Sequence, residues 1–480
     1  MRLVSIIFIL SSLIFSCGYR IEPSKYVPED VSFVHIFDIN NLQNQNKKSF
    51  PMYIKTLGKD VSLTLQNYIV EKYKQSGINL QYRAYCFGTT NKNKNENYTA
   101  WVLHLDNEKK FDNFVRNIPE NNYGIDNSNG MHYTYLNESI LVLWANKIAW
   151  IIKGEIPKTA SELKKQVLKF KEMHANKTLR NKNVAFQNLI QQKLDVGVWL
   201  NWENQNDNLL NYIKQTTGMS FDKKDAYITL DWQLDSLQKL ETNLKIYPEV
   251  RSLANFDDLF SNKLEKNLIK QIPKDSLLGI WNWNLSQKGW ENIQKTWKSE
   301  QWWQKTLSIT GFNYQKWFTL TTGEGIYFER ETKQAIPQTA WGMSIKNKPL
   351  LDIVLKQLEK ENQIEKIKDK QNVYFWKKIK YYLVVNDKNI WATISPQLTS
   401  FLTKNNNMDI KNIDIPQNVS NWGFIKPESA LYIPNFEKSN QKNTMYWYIM
   451  PIKQEIFDYK QIIKLDKKEE LWENIVSFLK

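Results

Sequence analysis

An internal repeat limits what this chain can fold into more than any other feature of its sequence. Residues 99–107 read TAWVLHLDN, and residues 339–347 read TAWGMSIKN. Two further pairs occur in the same relative order along the chain. VPEDVSFVHIFDI from 27 matches IPKDSLLGIWNWN from 272, and LWANKIAWII from 143 matches VVNDKNIWATI from 384. Collinear matches at a nearly constant offset indicate that a whole folding unit is duplicated, rather than a single site.

Each pair also predicts the same local structure. Pro28 and Pro273 open a Pro-x-Asp turn before an apolar strand, and the third pair predicts a hairpin in each half. A helix is expected after each hairpin, capped by Thr159 in the first half and by Ser395 in the second. Weaker matches pair residues 195–202 with 429–436 and residues 226–234 with 445–453.

The repeated order of elements predicts an α+β fold made of two tandem repeated units. Each unit is expected to be a largely antiparallel sheet with helices packed on one face, because short turns join most of the strands. We place the units at residues 24–265 and 266–480. Trp101 and Trp341 then become equivalent strand residues, expected in the two cores.

The N-terminus is typical of a bacterial lipoprotein signal. Arg2 precedes a thirteen-residue apolar stretch, which as a helix would span only about 20 Å and is too short to cross a bilayer. The stretch ends in IFSCG, a lipobox with Cys17 as the residue that receives the lipid. We therefore predict a signal peptide at 1–16, a tether at 17–23 and a membrane partner through the acyl chains.

The residues after the lipobox cysteine bear on location. Gly18 stands where an Asp would retain the protein at an inner membrane, and no acidic cluster of a surface-export signal follows. The expectation is an outer-membrane protein with the periplasmic face favoured over the cell surface. Cys86 is the only other cysteine, so lipid on Cys17 leaves no partner for an intrachain disulfide.

Several of these segments resemble one protein family. The lipobox, IPKDSLLGIW, AFQNLIQQKLDVGVWLNWEN and LTTGEGIYF are similar to an uncharacterised family of Bacteroidota lipoproteins, the domain of unknown function 4836 type. These motifs are strand and turn patterns. The resemblance therefore implies fold and location and carries over no functional residue.

Charge and motifs make several function classes less probable. The net charge of +15 comes from lysines interleaved with acidic residues along the whole chain, without the basic stripe that nucleic-acid binding requires. Four histidines occur without metal-ligand spacing, and no nucleotide-binding or nucleophile motif is present. We predict no cofactor, no metal and no nucleic-acid partner, and we assign no catalytic residue.

Acidic residues leave an enzymatic alternative open. Asp38, Asp106, Asp231 and Glu203 lie on or near predicted strands, and a glycosidase pair is defined by distance in space rather than in sequence. The alternative function is therefore a membrane-tethered glycan- or peptide-processing hydrolase.

Aromatic density favours binding. Trp281 and Trp283 alternate as core residues of a strand do, whereas Trp202 and Trp303 each follow a tryptophan that points elsewhere and are the better surface candidates. The preferred hypothesis is a non-enzymatic, lipid-anchored envelope protein that acts as a binding or structural module, with an envelope protein or a glycan as its partner.

Overall fold

A computed structural model gives the fold for most of the strands and several helices. It describes residues 22–45, 71–89, 98–119, 124–128, 130–137, 140–154, 177–204, 224, 226–234, 239–247, 268–272, 276–286, 288–289, 291, 320–332, 337–403, 419–426, 445–453 and 456–464. The described residues up to Asn204 form one compact unit, and those from 224 to 464 form a second. Each unit is treated separately below.

The first unit contains eight strands and four short α-helices among its described residues. The strands are β1 (Phe33–Phe37), β2 (Ala84–Gly88), β3 (Tyr98–His104), β4 (Asp126–Ser128), β5 (Met131–Asn137), β6 (Ile140–Ala145), β7 (Ile148–Gly154) and β8 (Val196–Asn201). The helices are α1 (Ile39–Gln45), α2 (Glu108–Arg116), α3 (Leu179–Lys182) and α4 (Val184–Gln191), with 3-10 turns at Pro23–Tyr26, Tyr73–Gln75 and Trp202–Asn204. The described strands of this unit pair antiparallel throughout, in the order β4-β5-β6-β7-β3-β2-β1-β8.

The second unit repeats this arrangement and extends it. Its strands are β9 (Tyr227–Leu234), β10 (Lys239–Tyr247), β11 (Leu277–Asn284), β12 (Thr321–Arg330), β13 (Gln338–Ile345), β14 (Ile364–Lys366), β15 (Val373–Trp376), β16 (Tyr381–Val385), β17 (Asn389–Thr393), β18 (Asn421–Ile425), β19 (Met445–Lys453) and β20 (Ile456–Lys464). Its helices are α5 (Lys348–Lys360) and α6 (Pro396–Thr403), with a 3-10 turn at Ile269–Gln271.

The strand order of the second unit matches that of the first strand for strand. It is antiparallel throughout and runs β14-β15-β16-β17-β13-β12-β11-β18, the same succession as β4 to β8 in the first unit, and then continues through β19, β20, β10 and β9. The α+β class and the two antiparallel sheet units predicted from the repeat are confirmed. TAWVLHLDN and TAWGMSIKN begin in the equivalent strands β3 and β13 and run on to the helix caps.

The boundary between the units differs from the one that the repeat suggested. The repeat placed it at 265/266, whereas the compact units divide between Asn204 and Gln205. The cause is the β9–β10 hairpin, which follows the first repeat in sequence but pairs through β10 with β20 of the second unit. Such a long-range pairing leaves no signal in local sequence.

One of the weaker matches is also corrected. The counterpart of β8 is β18, because β8 pairs with β1 as β18 pairs with β11. Residues 429–436, which the sequence comparison had paired with β8, lie outside the described residues. The hairpin matches are confirmed, with Asn146 and Lys147 at φ values of 50° and 62° in the β6–β7 turn, as a two-residue turn between twisted strands requires.

An asparagine begins the helix that follows the repeated strand in each unit. The Asn107 side-chain oxygen accepts a hydrogen bond from the Lys110 backbone N–H at the start of α2, at 3.0 Å. The Asn347 oxygen accepts from the Leu350 N–H at the start of α5, also at 3.0 Å. These caps satisfy N–H groups that have no partner inside the helix, and so the last residue of each nine-residue motif has a structural purpose.

The helices of each unit lie on both faces of its sheet, not on one face as expected. In the second unit, Leu351 and Leu355 of α5 pack in one cluster with Leu383 and Val385. Leu398 and Leu402 of α6 pack instead with Val384 and Trp391, whose side chains alternate to the opposite face. In the first unit, Phe111 of α2 contacts Trp144, and Phe186 of α4 contacts Trp199. The sheet is thus covered on each face, but over different strands.

Several predictions concern residues that the structure does not describe. The signal peptide, Cys17, the cap at Thr159 and Trp303 lie in those parts of the sequence. The second predicted helix start is confirmed, since α6 begins at Pro396 directly after Ser395. Among the described residues, no helix is long and apolar enough to cross a membrane.

Candidate functional site

A row of aromatic side chains crosses three neighbouring strands of the second unit. Trp281 on β11 lies opposite Tyr327 on β12, and Tyr327 lies opposite Trp341 on β13. Residues that are directly opposite in a ladder project from the same face of the sheet, and Trp283, two positions from Trp281, projects from that face too. We call these four residues the aromatic platform.

The platform rings touch one another and remain partly open to water. Ring centroids are 5.2 Å apart between Trp281 and Trp283, 6.2 Å between Trp283 and Trp341, and 4.4 Å between Tyr327 and Trp341. Trp281 is 38% exposed and Trp341 is 41% exposed, whereas Tyr327 between them is 6% exposed. Two indoles therefore present apolar surface to solvent while their neighbours hold them in place.

Small residues flank the platform on the neighbouring strands, so that no large side chain covers its rings from those positions. Gly423 lies opposite Trp281 on the other side of β11, and Ala392 lies opposite Trp341 beyond β13. The ring of Trp283 lies directly over Gly325, where an added Cβ would come within 2.3 Å of ring atom Cζ2. Glycine is thus required at 325 for the indole to lie flat on the sheet.

Two hydrogen bonds fix the orientation of the platform. The Trp281 indole N–H donates to the Asn421 side-chain oxygen at 3.0 Å. The Tyr327 hydroxyl donates to Glu329 Oε1 at 2.6 Å within the same strand. Burial, followed by the hydrogen bond to Glu329, raises the pKa of Tyr327 well above its usual range. The phenol therefore stays protonated and continues to donate at all physiological pH values.

The equivalent row of the first unit is less open. It consists of His35, Cys86 and Trp101, which are paired across β1, β2 and β3. Trp101 is half-buried, and the Phe37 ring stacks against it at 5.5 Å. Cys86 is buried, and burial raises the pKa of its thiol far above the normal value. The two units share a scaffold, but the exposed tryptophan pair occurs in the second.

The structure corrects the predictions about which aromatics face water. Trp281 and Trp341 were expected in the core but are exposed. The buried α6 side of the sheet is formed instead by their neighbours, Ile280 and Asn282 on β11 and Ala340 on β13. The sequence predicts correctly that Trp281 and Trp283 share one face of the strand, but it places that face in the core. An asparagine on the buried face and tryptophans on the open one reverse the usual pattern.

Trp202 does not serve as a surface residue. It is completely buried at the 3-10 turn after β8, and Trp199 of that strand is 1% exposed. Trp202 was the sequence-based candidate for a surface residue, and it is buried because the chain bends into the 3-10 turn before it, which ends the strand alternation. Trp303, the other predicted surface residue, is outside the described residues.

The two buried acids of β12 do not form a facing pair. Glu324 and Glu329 of β12 are both buried. Glu329 accepts from Tyr327 on the platform face, whereas Glu324 accepts from Ser344 Oγ, whose side chain alternates to the face opposite Trp341. Two carboxylates on opposite sides of a sheet cannot flank one bond as a glycosidase pair does.

The acids singled out in the sequence have local structural partners. Asp38 accepts from the Asn41 N–H at the start of α1, and Asp106 accepts from the Asn79 amide at 2.7 Å. Asp231 accepts from Asn243 across the β9–β10 hairpin at 2.8 Å. Glu203 lies in the 3-10 turn Trp202–Asn204. These hydrogen bonds give three of the four acids a structural role that explains their positions without catalysis.

His104 is a buried strand histidine in an aromatic environment. It stacks on Tyr82 with ring centroids 4.0 Å apart, and burial lowers its pKa. Its Nδ1 lacks a hydrogen-bond partner among the described residues. Within that same part of the chain, no group of His, Cys, Asp and Glu side chains has the arrangement of a metal site.

The fold and this surface define an α+β protein of two tandem antiparallel units, one of which presents an exposed aromatic platform. The chain belongs to the family described as "Domain of unknown function (DUF4836)", whose model matches residues 34–421. The match runs from β1 to the start of β18 and so covers the repeated core of both units. The resemblance to this family is confirmed.

Other comparisons add little. No curated protein matches the chain. Two solved structures, titled "Structure of crystal form IV of TP0453" and "Structure of crystal form III of TP0453", are 10% and 9% identical. They cover 47% and 51% of this chain and 80% and 89% of their own, each with a TM-score of 0.30. A TM-score at this level does not establish a shared fold.

Proposed function

We propose that the protein is a lipid-anchored component of the cell envelope that binds a glycan through the aromatic platform, without catalysing a reaction. The exposure of Trp281 and Trp341, at 38% and 41%, carries the proposal. Large aromatic side chains that remain exposed beside a well-packed core are typical of binding surfaces. The lipobox around Cys17 supports the anchor, and an outer membrane with the periplasmic face favoured is the proposed location.

A glycan suits the shape and chemistry of the platform. The apolar C–H face of a pyranose ring stacks on an indole, and a row of exposed rings on a sheet offers several such contacts in line. Neighbouring strands lie about 4.8 Å apart, so Trp281 and Trp341, two strands apart, are separated by roughly 10 Å across the sheet. This separation is about the length of two sugar units in an extended chain.

The binding proposal is tested with single and double substitutions of the exposed tryptophans. Trp281→Ala and Trp341→Ala are each expected to weaken binding to the best ligand from a glycan array about fivefold, since a ring contact contributes about 1 kcal/mol. Ile353→Ala is the matched control, because Ile353 is 61% exposed on α5 and outside the platform. Calorimetric titration measures each affinity, and urea unfolding confirms that each variant is folded.

Two outcomes would overturn the proposal. One is full glycan affinity in the double variant, and the other is the same loss of affinity in Ile353→Ala. A glycan that is cleaved during the titration, seen as released reducing ends, would favour the hydrolase instead.

The anchor has a separate test. Cells grown with a labelled fatty acid are expected to label the protein, and Cys17→Ala should abolish the label because no other exposed thiol accepts the diacylglyceryl group. Label that persists in Cys17→Ala would contradict lipid attachment at this cysteine.

A further inference from the structure

The segment that follows the tether is firmly attached to the first unit. Pro28 forms an isolated antiparallel bridge with Thr178 at the start of α3. The Leu179 N–H donates to the Val27 carbonyl at 2.9 Å, and the Glu29 N–H donates to the Lys177 carbonyl at 3.0 Å. Residues 27–29 are therefore an integral part of the unit rather than a flexible linker.

This attachment extends to the first described residue. Glu22 forms an ion pair with Arg180 of α3, and the same guanidinium donates to Ser24 Oγ at 3.0 Å. Ser24 is buried, and the Tyr26 ring contacts Trp150 edge to face at 5.3 Å. Glu22 is thus part of the folded unit, although it lies within the range assigned to the tether from sequence.

The position of Glu22 limits how far the unit can move from its anchor. Five peptide steps separate Cys17 from Glu22, and a fully extended chain covers at most about 3.6 Å per step, or roughly 18 Å. If Cys17 carries the lipid, the surface around Glu22 and Arg180 is held within this distance of the lipid headgroups. That surface is formed by α3 and the start of α4.

The chemistry of this surface matches an acidic membrane. Val184, the first residue of α4, is 64% exposed, and cationic residues surround it in sequence. We call this surface the α3–α4 face, defined by Lys177, Arg180, Lys182, Val184 and Lys193. Glu22 and Arg180 neutralise each other as an ion pair, which leaves three exposed lysines, Lys177, Lys182 and Lys193, against Glu29 and Asp30, the exposed acids of the adjoining segment.

A polar cavity opens on the same face. Its volume is about 330 Å³, and it is lined by Glu22, Arg180, Asn181, Gln187, Ile190 and Gln191. Amide side chains of this kind can hydrogen-bond the phosphate and glycerol oxygens of a headgroup, while long lysine side chains reach toward the phosphate layer with their stems along apolar surface.

We propose that the α3–α4 face docks on the headgroup layer of a bilayer that contains acidic phospholipid, with Val184 at the interface and the lysines against phosphate groups. The inference rests on the proposed lipid anchor at Cys17 and adds a defined orientation to it. A lipid anchor alone does not set which side of a protein meets the membrane, whereas a basic surface beside the anchor is attracted to acidic headgroups and can set that orientation. A second copy of the chain or a protein partner on this face is an alternative that the test separates.

The test uses the acylated full-length protein in vesicles of phosphatidylethanolamine and phosphatidylglycerol. Val184→Cys is labelled with an environment-sensitive fluorophore, and Ile353→Cys is the matched control because Ile353 is equally exposed on α5 of the second unit. Cys86 is buried and stays unlabelled in the folded protein. We expect a blue-shifted emission and protection from a water-soluble quencher at position 184 but not at position 353.

A second measurement separates this proposal from the anchor. The Cys17→Ala chain, which has no lipid, is expected to bind acidic vesicles weakly and in a salt-sensitive manner, and Lys182→Glu with Lys193→Glu should reduce that binding at least fivefold. If mass spectrometry finds no lipid on Cys17, the anchor fails, whereas the vesicle binding still tests the face. The docking proposal would be overturned if the emission at position 184 matched that at position 353. It would also be overturned if position 184 were protected from the quencher without vesicles, since that would indicate contact between two copies of the chain.

Discussion

At the scale of single residues, the platform depends on the absence of one side chain. Trp283 lies on Gly325, and a Cβ there would come within 2.3 Å of the indole. Gly325→Ala is therefore expected to lift Trp283, to cost about 1–3 kcal/mol of unfolding free energy and to weaken platform binding. Gly124→Ala is the control, since no atom lies within 4 Å of its added Cβ. Urea unfolding checks both, and equal losses in the two variants would contradict the packing argument.

His35 gives a second prediction at this scale, through pH. It lies between the Phe33 and Phe37 rings, at 5.3 and 6.3 Å, and burial lowers its pKa from 6.5 to about 4. The unfolded chain therefore takes up a proton at higher pH than the folded one. His35 contributes full stability above about pH 6.5, and this contribution is lost as the pH falls toward 4.

The size of the effect is about 1–3 kcal/mol, less than the full shift implies because the side chain is partly exposed. Other groups titrate in the same range, so the useful quantity is the difference in unfolding free energy between the wild type and His35→Gln. This difference is expected to move in favour of the variant between pH 7 and pH 4.5. A difference that is the same at both pH values would show that His35 is not responsible.

At the scale of elements, the two repeated helices offer a matched pair of caps. Asn107 and Asn347 each accept a backbone hydrogen bond at 3.0 Å, at the start of α2 and α5. Asn107→Ala and Asn347→Ala should each cost about 1 kcal/mol, and replacement by Asp should retain most of the stability. Circular dichroism during urea unfolding measures the loss. An alanine variant as stable as the Asp variant would show that the cap contributes nothing.

Sequence alone predicted elements best where local chemistry decides the structure. The hairpin turns at Asn146 and Asn386 and the helix start at Pro396 depend on turn and capping preferences that single residues express. The face of β11 could not be predicted in this way. Trp281 and Trp283 alternate correctly, but only the position of α6, which packs against Ile280, determines which face is buried. The platform was missed for that reason.

At the scale of the whole molecule, the duplication explains why both units share one strand order. The long-range pairing of β10 with β20 explains why the unit boundary differs from the repeat boundary. Both repeats form the same succession of paired strands, and yet the β9–β10 hairpin joins the second unit. Nothing in the sequence of β9 or β10 indicates this, because an exposed strand edge accepts any partner that is close enough. Contacts of long sequence separation are the part of a fold that local patterns encode least.

The pairing leads to a prediction about where the chain can be divided. A fragment of residues 205–468 keeps the ladder in which β10 pairs with β20 from Lys239 to Ile246, including the ion pair between Glu241 and Lys460. A fragment of residues 266–468, cut at the repeat boundary, leaves β20 with an open edge. We expect the longer fragment to be monomeric and more stable in urea, and the shorter one to associate through that edge.

Thr242→Pro in the longer fragment separates strand pairing from fragment length. Thr242 lies opposite Gln461 of β20 and Trp232 of β9, so a proline there removes a ladder hydrogen bond and should give the longer fragment the behaviour of the shorter one. Size-exclusion chromatography with light scattering reports the association state of each fragment, and urea unfolding reports its stability. If 266–468 is as stable and as monomeric as 205–468, the hairpin does not complete the second unit. The boundary at 265/266 would then describe the folding units as well as the repeat.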